Sequence, residues 1–469
     1  MENTLNIFKR SALHWLCLFF FFIAVQSSCK KNKDQKPEYP AGSNENVNTW
    51  ILDSLKRYYY WNESLPSNLD ISAKPQDFFN SVRNAADRFS YIINPNDPST
   101  YTPNNKNFGF DYSTIKEQTT GQVIGIIKLV LKDSPASRAG LKRGDYINKI
   151  NGKQLTEANA QTLQNEILSS DHFTLMIAEL NNNTWVDKKS VEISKGVILD
   201  QREISKVIES DGKKIGYLYL TDFSPGLANS LTAAFSGFKT SGISDLILDL
   251  RYNSGGQVAE AAGLCALIAQ GVNYDKPFIT YKGNKNGGVK TESLGSAATF
   301  DGTVNFNTLL QKNLGLSKVY ILGTAATASA SEVIINNLKP YMQVILIGET
   351  TRGKDEASFS ISDARNPKQV QWEMHPIVYK LFNSSGIGGY SAGILPDVPV
   401  NELSSLPLRQ FGEIEDPLLK AAISQVTGKA IAAVNNKLKQ AKTKELAVAK
   451  VLLDTRIQAA NSSIVITHH

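Results

Sequence analysis

Apolar positions change their spacing along the 469-residue chain, and each change predicts a different kind of structure. Between about residues 44 and 95 they recur every three or four positions, which is the spacing of one helix face. These positions are Val47, Ile51, Leu55 and Tyr58. Pro75 is placed to begin a second helix, and the pattern extends that helix to Ser90. We therefore predict a helical N-terminal region.

Short runs of apolar and β-branched residues follow between about residues 105 and 197, and they predict a β domain. The runs cover residues 123–127, 129–131, 146–150, 173–177 and 191–193. Ser134 and Pro135 are typical of a helix start, Gly140 and Gly144 of turns, and Asn151-Gly152 of a tight hairpin. The stretch 132–152 resembles PDZ domains.

The PDZ resemblance implies a peptide-binding site. In such domains a loop of main-chain N–H groups captures the terminal carboxylate of a peptide, which adds as a strand to a sheet edge. The corresponding loop here is Phe108-Gly109-Phe110, preceded by Asn107 where the family usually has Gly. The alternative is a PDZ fold that only spaces two other domains.

Strand-like runs alternate with helical stretches from about residue 213 to 400, which predicts an α/β core. The runs cover residues 215–220, 245–250, 319–323 and 344–348. Beyond about residue 412 the pattern predicts a helical tail, with helices at 417–426 and 430–453. The tail carries no residues that suggest chemistry.

The N-terminus has the layout of an export signal. A positive pair at residues 9–10 precedes an apolar run at 13–25, which is short for a membrane span, and two serines stand just before Cys29. This resembles a bacterial lipobox, whose Cys is lipidated, although Gln26 stands where the family prefers Leu. We expect a lipoprotein of the cell envelope, anchored to the membrane at Cys29 and facing the periplasm or the cell exterior.

Composition narrows the function classes. Hydrophobic residues make up 42% of the chain and charged residues 20%, as in globular proteins, and a net charge of +6 spread along the sequence does not favour a nucleic-acid partner. If Cys17 leaves with the signal and Cys29 carries lipid, Cys265 has no disulfide partner. His172 and His375 are the remaining internal histidines, so we predict no zinc site and no cofactor.

Three predicted strands of the core end in loops that carry chemistry-bearing residues: Gly255-Gly256, Ser329 and Lys354. In open α/β sheets functional groups gather at the carboxyl ends of strands, and neighbouring strands lie about 4.8 Å apart. Ser329 and Lys354 can therefore meet across adjacent strand ends. A serine hydroxyl becomes a nucleophile when a base takes its proton, and a lysine can be that base when burial lowers its pKa.

Ser329 also stands where a helix would start, so N–H groups and the helix dipole would point at a developing oxyanion. The natural donors are the N–H of Ala330 and that of Gly255 or Gly256. A plain structural interpretation exists for each feature. The segment from Ser329 to Glu332 is a capping box, and loop lysines and paired glycines are most often surface and turn residues.

Four features occur together in a fixed order. They are the PDZ-like stretch, Asp249-Leu250-Arg251-Tyr252-Asn253-Ser254-Gly255-Gly256, Ser329-Ala330-Ser331-Glu332 and Gly353-Lys354. Jointly they resemble the C-terminal processing proteases, or tail-specific proteases, over roughly residues 47 to 400. The resemblance implies a serine endopeptidase that cleaves proteins near their C-termini, with Ser329 as nucleophile, Lys354 as general base, and a core related to the ClpP and crotonase folds.

Departures from the family pattern leave the third catalytic residue open. Many members have Gly directly after the Lys and Gln four residues after it, where this chain has Asp355 and Ser358. Ser358 can still hydrogen-bond Lys354, whereas Asp355 could form a salt bridge that holds it protonated. Other members use an Asp eleven residues after the Ser, where this chain has Pro340.

Three other functions remain as alternatives. A Ser-His-Asp enzyme would need His375 or His172, which stand in no recognisable motif. A catalytically silent, peptide-binding lipoprotein would keep the PDZ domain, but the presence of both Ser329 and Lys354 argues against it. The core fold alone would also permit a crotonase-like acyl-CoA enzyme, which an exported PDZ protein does not favour.

We divide the chain into six parts. They are a signal peptide (1–28), a polar tether (29–43), an N-terminal helical domain (44–100), a PDZ-like domain (101–200), a serine protease core (201–411) and a helical tail (412–469). The expected partners are protein or peptide substrates and the membrane. The sequence leaves open whether the chain forms a homo-oligomer.

Overall fold

The computed structural model describes residues 38–101, 105–117, 121–181, 184–198, 203–429 and 449–459. The predicted signal peptide and Cys29 lie outside the described residues, as do residues 430–448 of the tail. Within the described ranges, no helix combines the length and the apolar character needed to cross a membrane.

The described elements follow the predicted order of a helical region, a β domain and an α/β core. The α-helices are α1 (Asn44–Tyr58), α2 (Pro75–Val82), α3 (Pro135–Arg138), α4 (Ala160–Ser169), α5 (Leu227–Ser241), α6 (Val258–Ile268), α7 (Leu294–Ala298), α8 (Phe306–Lys312), α9 (Ala330–Asn337), α10 (Pro417–Thr427) and α11 (Thr455–Ala459). The strands are β1 (Tyr91–Ile93), β2 (Phe110–Glu117), β3 (Val123–Val130), β4 (Tyr146–Ile150), β5 (Lys153–Gln154), β6 (His172–Asn181), β7 (Thr184–Ser194), β8 (Glu203–Ser210), β9 (Lys213–Leu220), β10 (Asp245–Asp249), β11 (Pro277–Lys282), β12 (Val289–Ser293), β13 (Lys318–Gly323), β14 (Gln343–Gly348), β15 (Glu356–Ser358), β16 (Ile361–Ser362), β17 (Glu373–His375), β18 (Ile377–Asn383), β19 (Val398–Pro399) and β20 (Ala449–Asp454).

The predicted N-terminal helices are present as α1 and α2. The side chain of Ser43 caps α1 by accepting a main-chain N–H of its first turn. The prediction that the second helix extends to Ser90 is wrong, because α2 ends at Val82. The Asp87 carboxylate accepts the N–H groups of Phe89 and Ser90, and local bonds of this kind compete with a helix.

An antiparallel sheet in the order β20-β2-β3-β4-β6-β7 forms the PDZ region. The predicted β runs are confirmed, although the first two belong to one strand, β3. Apolar side chains from the sheet and from α4 form its core, among them Phe110, Ile127, Ile147, Leu163 and Phe173. The region therefore has a hydrophobic core of its own.

A six-stranded sheet in the order β19-β14-β13-β10-β9-β8 forms the predicted α/β core. Its strands are parallel except for β8, which pairs antiparallel with β9. Successive side chains of a strand point to opposite faces. Leu248 and Ile321 pack in the cluster that includes α5, α6 and α9, whereas Tyr217 and Leu322 pack in the cluster that includes α10. Both faces of the sheet are therefore covered.

Two smaller sheets join the N-terminal region to the core. They have the orders β1-β17-β16 and β12-β11-β18-β15. Strand β1 pairs antiparallel with β17, and Ile51 and Phe78 share a buried cluster with Met374 and Val378. The N-terminal region is thus packed directly onto the protease core.

The tail contains the first predicted helix, but part of the second is a strand. Helix α10 begins at Pro417, and the side chain of Asp416 caps it. The helix predicted through Leu453 is wrong where the chain is described, because Ala449–Asp454 forms β20 and pairs antiparallel with β2. The edge of β2 offers main-chain hydrogen bonds, and tertiary pairing of this kind overrides a local helix preference.

Candidate active site

The three loops singled out in the sequence follow strands that are direct neighbours. Strand β13 pairs in parallel with β10 on one side and with β14 on the other. The carboxyl ends of these strands therefore lie at one edge of the sheet. This confirms the prediction that the loops carrying Gly255-Gly256, Ser329 and Lys354 share one edge.

Ser329 lies at the start of α9 in an uncommon backbone conformation. Its φ of 64° and ψ of −119° are rarely adopted by residues other than glycine, and its side chain is buried. A Cβ added to Gly255 would lie 2.6 Å from the Ser329 Cβ and 2.9 Å from its Oγ. Glycine at 255 is therefore required for the loop after β10 to approach the serine.

The loop after β10 is anchored by a buried ion-pair network. The fully buried guanidinium of Arg251 donates to the carboxylate of Asp249 at 2.8 Å and to that of Asp416 at 2.7 and 2.9 Å. Removing one partner would leave an uncompensated buried charge, which is costly. These contacts fix the chain four residues before Gly255.

A single carboxylate connects the serine to the lysine loop. Glu332 is fully buried, and it accepts the main-chain N–H groups of Ser329, Gly353 and Lys354 at 2.8, 2.7 and 2.8 Å. It also accepts the hydroxyl of Thr351 at 2.5 Å. Burial raises the pKa of Glu332, whereas these four donors oppose the rise. Sequence reasoning identified Glu332 only as a helix cap and missed this link.

Lys354 is buried with 1% of its surface exposed. Burial lowers its pKa from 10.5 to about 7, against the opposing effect of the Glu356, Glu332 and Asp87 carboxylates. Its Nζ lies 5.0 Å from the centre of the Phe89 ring. With its pKa lowered to about 7, Lys354 can be a neutral amine near pH 7, which is the form that accepts a proton.

The N-terminal region supplies one wall of this site, which no pattern in the sequence indicates. Phe89 covers Lys354, and the guanidinium of Arg88 donates to the carbonyl oxygens of Gly353 and Ser391 at 2.6 and 2.9 Å. The Asp87 carboxylate accepts the Tyr59 hydroxyl at 2.7 Å. The aromatic side chain that packs against the lysine thus comes from a separate part of the chain.

Asp355 and Ser358, the two departures from the family pattern, are both buried. The Asp355 carboxylate forms an ion pair with Lys380 at 3.1 Å, and Glu356 pairs with the same ammonium group. Asp355 therefore has a cation partner in Lys380. Ser358 lies in β15, four residues after Lys354, and its role as third catalytic residue stays a prediction.

The candidate N–H donors of the oxyanion hole differ in whether they already have a hydrogen-bond acceptor within the protein. The N–H of Gly255 donates to the Asn253 side chain at 2.9 Å. Among the described residues, no acceptor is found for the N–H of Gly256 or for that of Ala330, the first residue of α9. Geometry therefore favours Gly256 and Ala330 as the pair that can donate to a substrate oxygen.

The two internal histidines, His172 and His375, lie in strands and not in the three loops described above. His375 is buried in β17, where it donates from Nε2 to Glu373 at 2.8 Å and stacks on the Tyr91 ring at 4.5 Å. His172 is the first residue of β6 in the PDZ region. In the part of the chain that is described, no group of three or more His, Cys, Asp or Glu is placed to hold a metal ion.

The predicted PDZ loop has buried aromatic side chains and bonded main-chain groups. Phe108 packs edge-to-face on Phe173, and Phe110 begins β2. Gly109 has a φ of 77°, and a Cβ there would lie 2.2 Å from the Ser134 Cβ. The N–H groups of Phe108 and Gly109 both donate to the Asn105 carbonyl, at 3.0 and 3.1 Å. The role of the loop in carboxylate capture stays a prediction.

Comparisons with known proteins match the same regions. The model of peptidase family S41 matches residues 214–400, the model of the peptidase S41 N-terminal domain matches residues 46–91, and a PDZ domain model matches residues 126–175. The carboxyl-terminal-processing protease of Picosynechococcus sp. is 23% identical over 336 residues, which cover 67% of this chain and 73% of that protein. The carboxy-terminal processing protease of Bacillus subtilis is 30% identical over 239 residues, which cover 51% of this chain and 46% of that protein.

A solved structure extends the likeness to the whole fold. The crystal structure of a protein from Bacteroides fragilis that is classed as an S41 protease superposes with a TM-score of 0.66 at 27% identity. The match covers 84% of this chain and 99% of that chain. The fold and the site define a serine peptidase with a PDZ domain. The core at residues 214–400 and the N-terminal region at residues 46–91 match peptidase family S41.

Proposed function

We propose that the protein is an exported endopeptidase that cleaves proteins near their C-termini, using Ser329 as nucleophile and Lys354 as general base. The observation that carries the proposal is the buried lysine with a pKa of about 7, whose main-chain N–H shares the Glu332 carboxylate with that of Ser329. A base with a pKa near the working pH is the most effective. Cleavage near C-termini is supported by the names of the relatives and by the PDZ domain.

The reaction proceeds in two halves. The Ser329 Oγ attacks the scissile carbonyl carbon while its proton passes to the neutral Nζ of Lys354, and the N–H groups of Ala330 and Gly256 donate to the oxyanion. The C–N bond then breaks, the Lys354 ammonium protonates the leaving amine, and an acyl-Ser329 ester remains. A water molecule then gives a proton to Lys354 while its oxygen attacks the ester carbon. The C–O bond to Ser329 breaks, the Lys354 ammonium returns the proton to the Ser329 oxygen, and the product acid ionises to the new carboxylate.

We also propose that the protein is held in the cell envelope by lipid on Cys29. The supporting features are the positive n-region, the short apolar run and the small residues before this cysteine. Metabolic labelling with a palmitate analogue tests the assignment. The label should be present on the wild-type protein and absent from Cys29→Ala.

The catalytic proposal is tested with an unfolded protein substrate. The mature protein and its Ser329→Ala variant are incubated with reduced, alkylated casein, and the fragments are identified by mass spectrometry. Ser296→Ala, a substitution at an exposed serine of α7, is the matched control. We expect cleavage by the wild-type protein and by the control, and none by Ser329→Ala. Equal cleavage by all three proteins would show that another group is the nucleophile.

A further inference from the structure

The peptide-binding edge of the PDZ sheet carries a strand from the chain's own tail. Strand β20 pairs antiparallel with β2, from Ala449 opposite Glu117 to Asp454 opposite Ser113. It also contacts α4, the helix beside that edge. Addition of an extended segment to a sheet edge is the way in which PDZ domains hold peptides.

The tail runs in the direction that a bound peptide would take. Strand β2 begins at Phe110, directly after the predicted carboxylate loop, and the C-terminal end of β20 lies nearer to that loop than its N-terminal end. The tail does not end there, because the chain continues into α11. No terminal carboxylate is therefore presented, and the N–H groups of Phe108 and Gly109 donate to Asn105 instead.

Side chains of the tail make specific contacts with the PDZ region. Leu453 is 5% exposed and packs into the hydrophobic core of that region. The Asp454 carboxylate accepts the hydroxyl of Ser113 at 2.8 Å and the ammonium of Lys128 at 2.7 Å. All of these side chains are buried, so solvent does not screen the ion pair.

Thr455, the residue after Asp454, also makes specific contacts with β2. The Thr455 hydroxyl accepts the N–H of Tyr112 at 3.0 Å and donates to the carboxylate of Asp111 at 2.7 Å. A hydroxyl is both donor and acceptor, and this position uses both capacities. The edge of β2 therefore selects side chains in addition to pairing with any extended backbone.

Beyond the PDZ edge the tail reaches the protease core. The guanidinium of Arg456 donates to the carbonyl oxygens of Tyr252 and Thr221 at 2.6 and 3.0 Å. Tyr252 lies in the loop after β10, three residues before Gly255. The tail thus connects the peptide-binding edge to the loop that carries the candidate oxyanion hole.

We propose that residues 449–456 are the resident ligand of the PDZ edge, recognised through the pattern apolar, acidic, hydroxyl, basic, and that a substrate must displace them. The inference rests on the proposed peptidase function, because it concerns how a substrate gains access. A segment tethered to its own site has an effective concentration of about millimolar, so a free peptide of the same sequence competes poorly with it.

The test compares two substitutions in the same strand, both made in full-length protein carrying Ser329→Ala so that the peptide is not consumed. Leu453→Asp places a charge in the buried position, whereas Val451→Asp, the matched control, places it at a side chain that is 46% exposed. The probe is a fluorescein-labelled peptide with the sequence of residues 449–459, and binding is followed by fluorescence anisotropy. Because binding is measured without catalysis, a failure of the proposed peptidase function leaves this result unaffected.

We expect Leu453→Asp to bind the peptide at least about tenfold more tightly than the parent protein, and Val451→Asp to bind like the parent. Circular dichroism melts establish that each variant is folded. If Leu453→Asp does not fold, Asp454→Asn takes its place, since it weakens the contacts with Lys128 and Ser113 and should give a smaller gain in the same direction. Unchanged peptide affinity in a folded variant, or an equal gain in Val451→Asp, would overturn the proposal.

Discussion

The catalytic edge of the core and the β2 edge of the PDZ region are built from different kinds of contact. At the catalytic edge, three parallel strands fix the loops, and Glu332 holds the main chain of Ser329 and of Lys354 in place. At the PDZ edge, the site is filled by β20, a strand from the far end of the sequence. The catalytic residues need a site that is formed before the substrate arrives. At the PDZ edge, in contrast, we propose that a substrate takes the place of β20.

The largest effect should follow from removal of the base. Lys354→Met keeps an unbranched side chain but cannot accept the proton of Ser329, so kcat/KM should fall about a thousandfold or more. Cleavage of a quenched fluorescent peptide measures the loss. Lys285→Met, at a side chain that is 68% exposed, is the control and should retain full activity. A folded Lys354→Met protein with more than a tenth of the wild-type rate would exclude Lys354 as the base.

Activity should depend steeply on pH on the acid side. Burial lowers the pKa of Lys354 to about 7, so the neutral base is lost as the pH falls below that value. Well below pH 7 each further unit should lower kcat/KM about tenfold, so the loss from pH 7 to pH 5 should be about fiftyfold. A profile measured from pH 5 to pH 9 checks this expectation. A rate that is flat across the range, or that falls above pH 7, would contradict it.

The Glu332 carboxylate, which joins the Ser329 and Lys354 loops, gives a third prediction. In Glu332→Gln an amide NH2 replaces one carboxylate oxygen and faces N–H or O–H donors, so hydrogen bonds from Ser329, Gly353 or Lys354 are lost. We expect kcat to fall about 30-fold with a smaller change in KM. Loss of the negative charge also lowers the pKa of Lys354, so the acid limb of the pH profile should move to lower pH.

A shift in the pH profile separates this positioning role from simple destabilisation. The control is Glu415→Gln, at a side chain that is 66% exposed, and it should leave both kcat and the profile unchanged. If Glu332→Gln lowers kcat without moving the acid limb, Glu332 stabilises the fold but does not tune the lysine.

The N-terminal wall of the site should have a smaller effect. Phe89→Ala removes the ring above Lys354 and admits water, which raises the pKa of the lysine toward its ordinary value. At pH 7 the rate should fall about tenfold, and part of the loss should be recovered at pH 9. Phe300→Ala, at a side chain that is 40% exposed, is the control. A loss that is equal at both pH values would show that Phe89 acts on something other than the lysine.

The smallest effect is expected at the junction between the two edges. Arg456→Ala removes two hydrogen bonds to the core loops at Tyr252 and Thr221 and an ion pair with Asp111 at 3.5 Å, but leaves the β20 pairing intact. Peptide binding in the Ser329→Ala background should improve about threefold, a change of about 0.7 kcal/mol, since a hydrogen bond contributes a net of about 0.5–1.5 kcal/mol. Arg409→Ala, at an exposed position, is the control. Weaker binding in Arg456→Ala would contradict displacement of the tail.

The sequence predicted the catalytic edge well because its signals are local. Apolar runs located the core strands, turn residues marked their ends, and neighbouring strand ends must lie close together. The positions of Ser329, Lys354 and Gly255-Gly256 followed from these rules once the family motifs singled them out. Only the choice between Gly255 and Gly256 needed the hydrogen bond to Asn253.

The remaining features depend on contacts between distant parts of the chain. Phe89 meets Lys354 across more than 250 positions, and nothing in the spacing of either residue indicates the contact. Strand β20 stands in a stretch whose local pattern is helical, and its conformation is set by the edge of β2. The second role of Glu332 was hidden because a capping box already explained its presence.

The most direct test of the catalytic pair is covalent labelling with a fluorophosphonate probe, which reacts with activated serine hydroxyls. Intact-mass and peptide-mass spectrometry locate the adduct and give its rate of formation in the wild-type protein and in Lys354→Met. We predict a single adduct on Ser329, formed faster as the pH rises through about 7 and about a thousandfold more slowly in Lys354→Met. An adduct on another residue, or an equal labelling rate in the two proteins, would contradict the assignment of Ser329 and Lys354 as nucleophile and base.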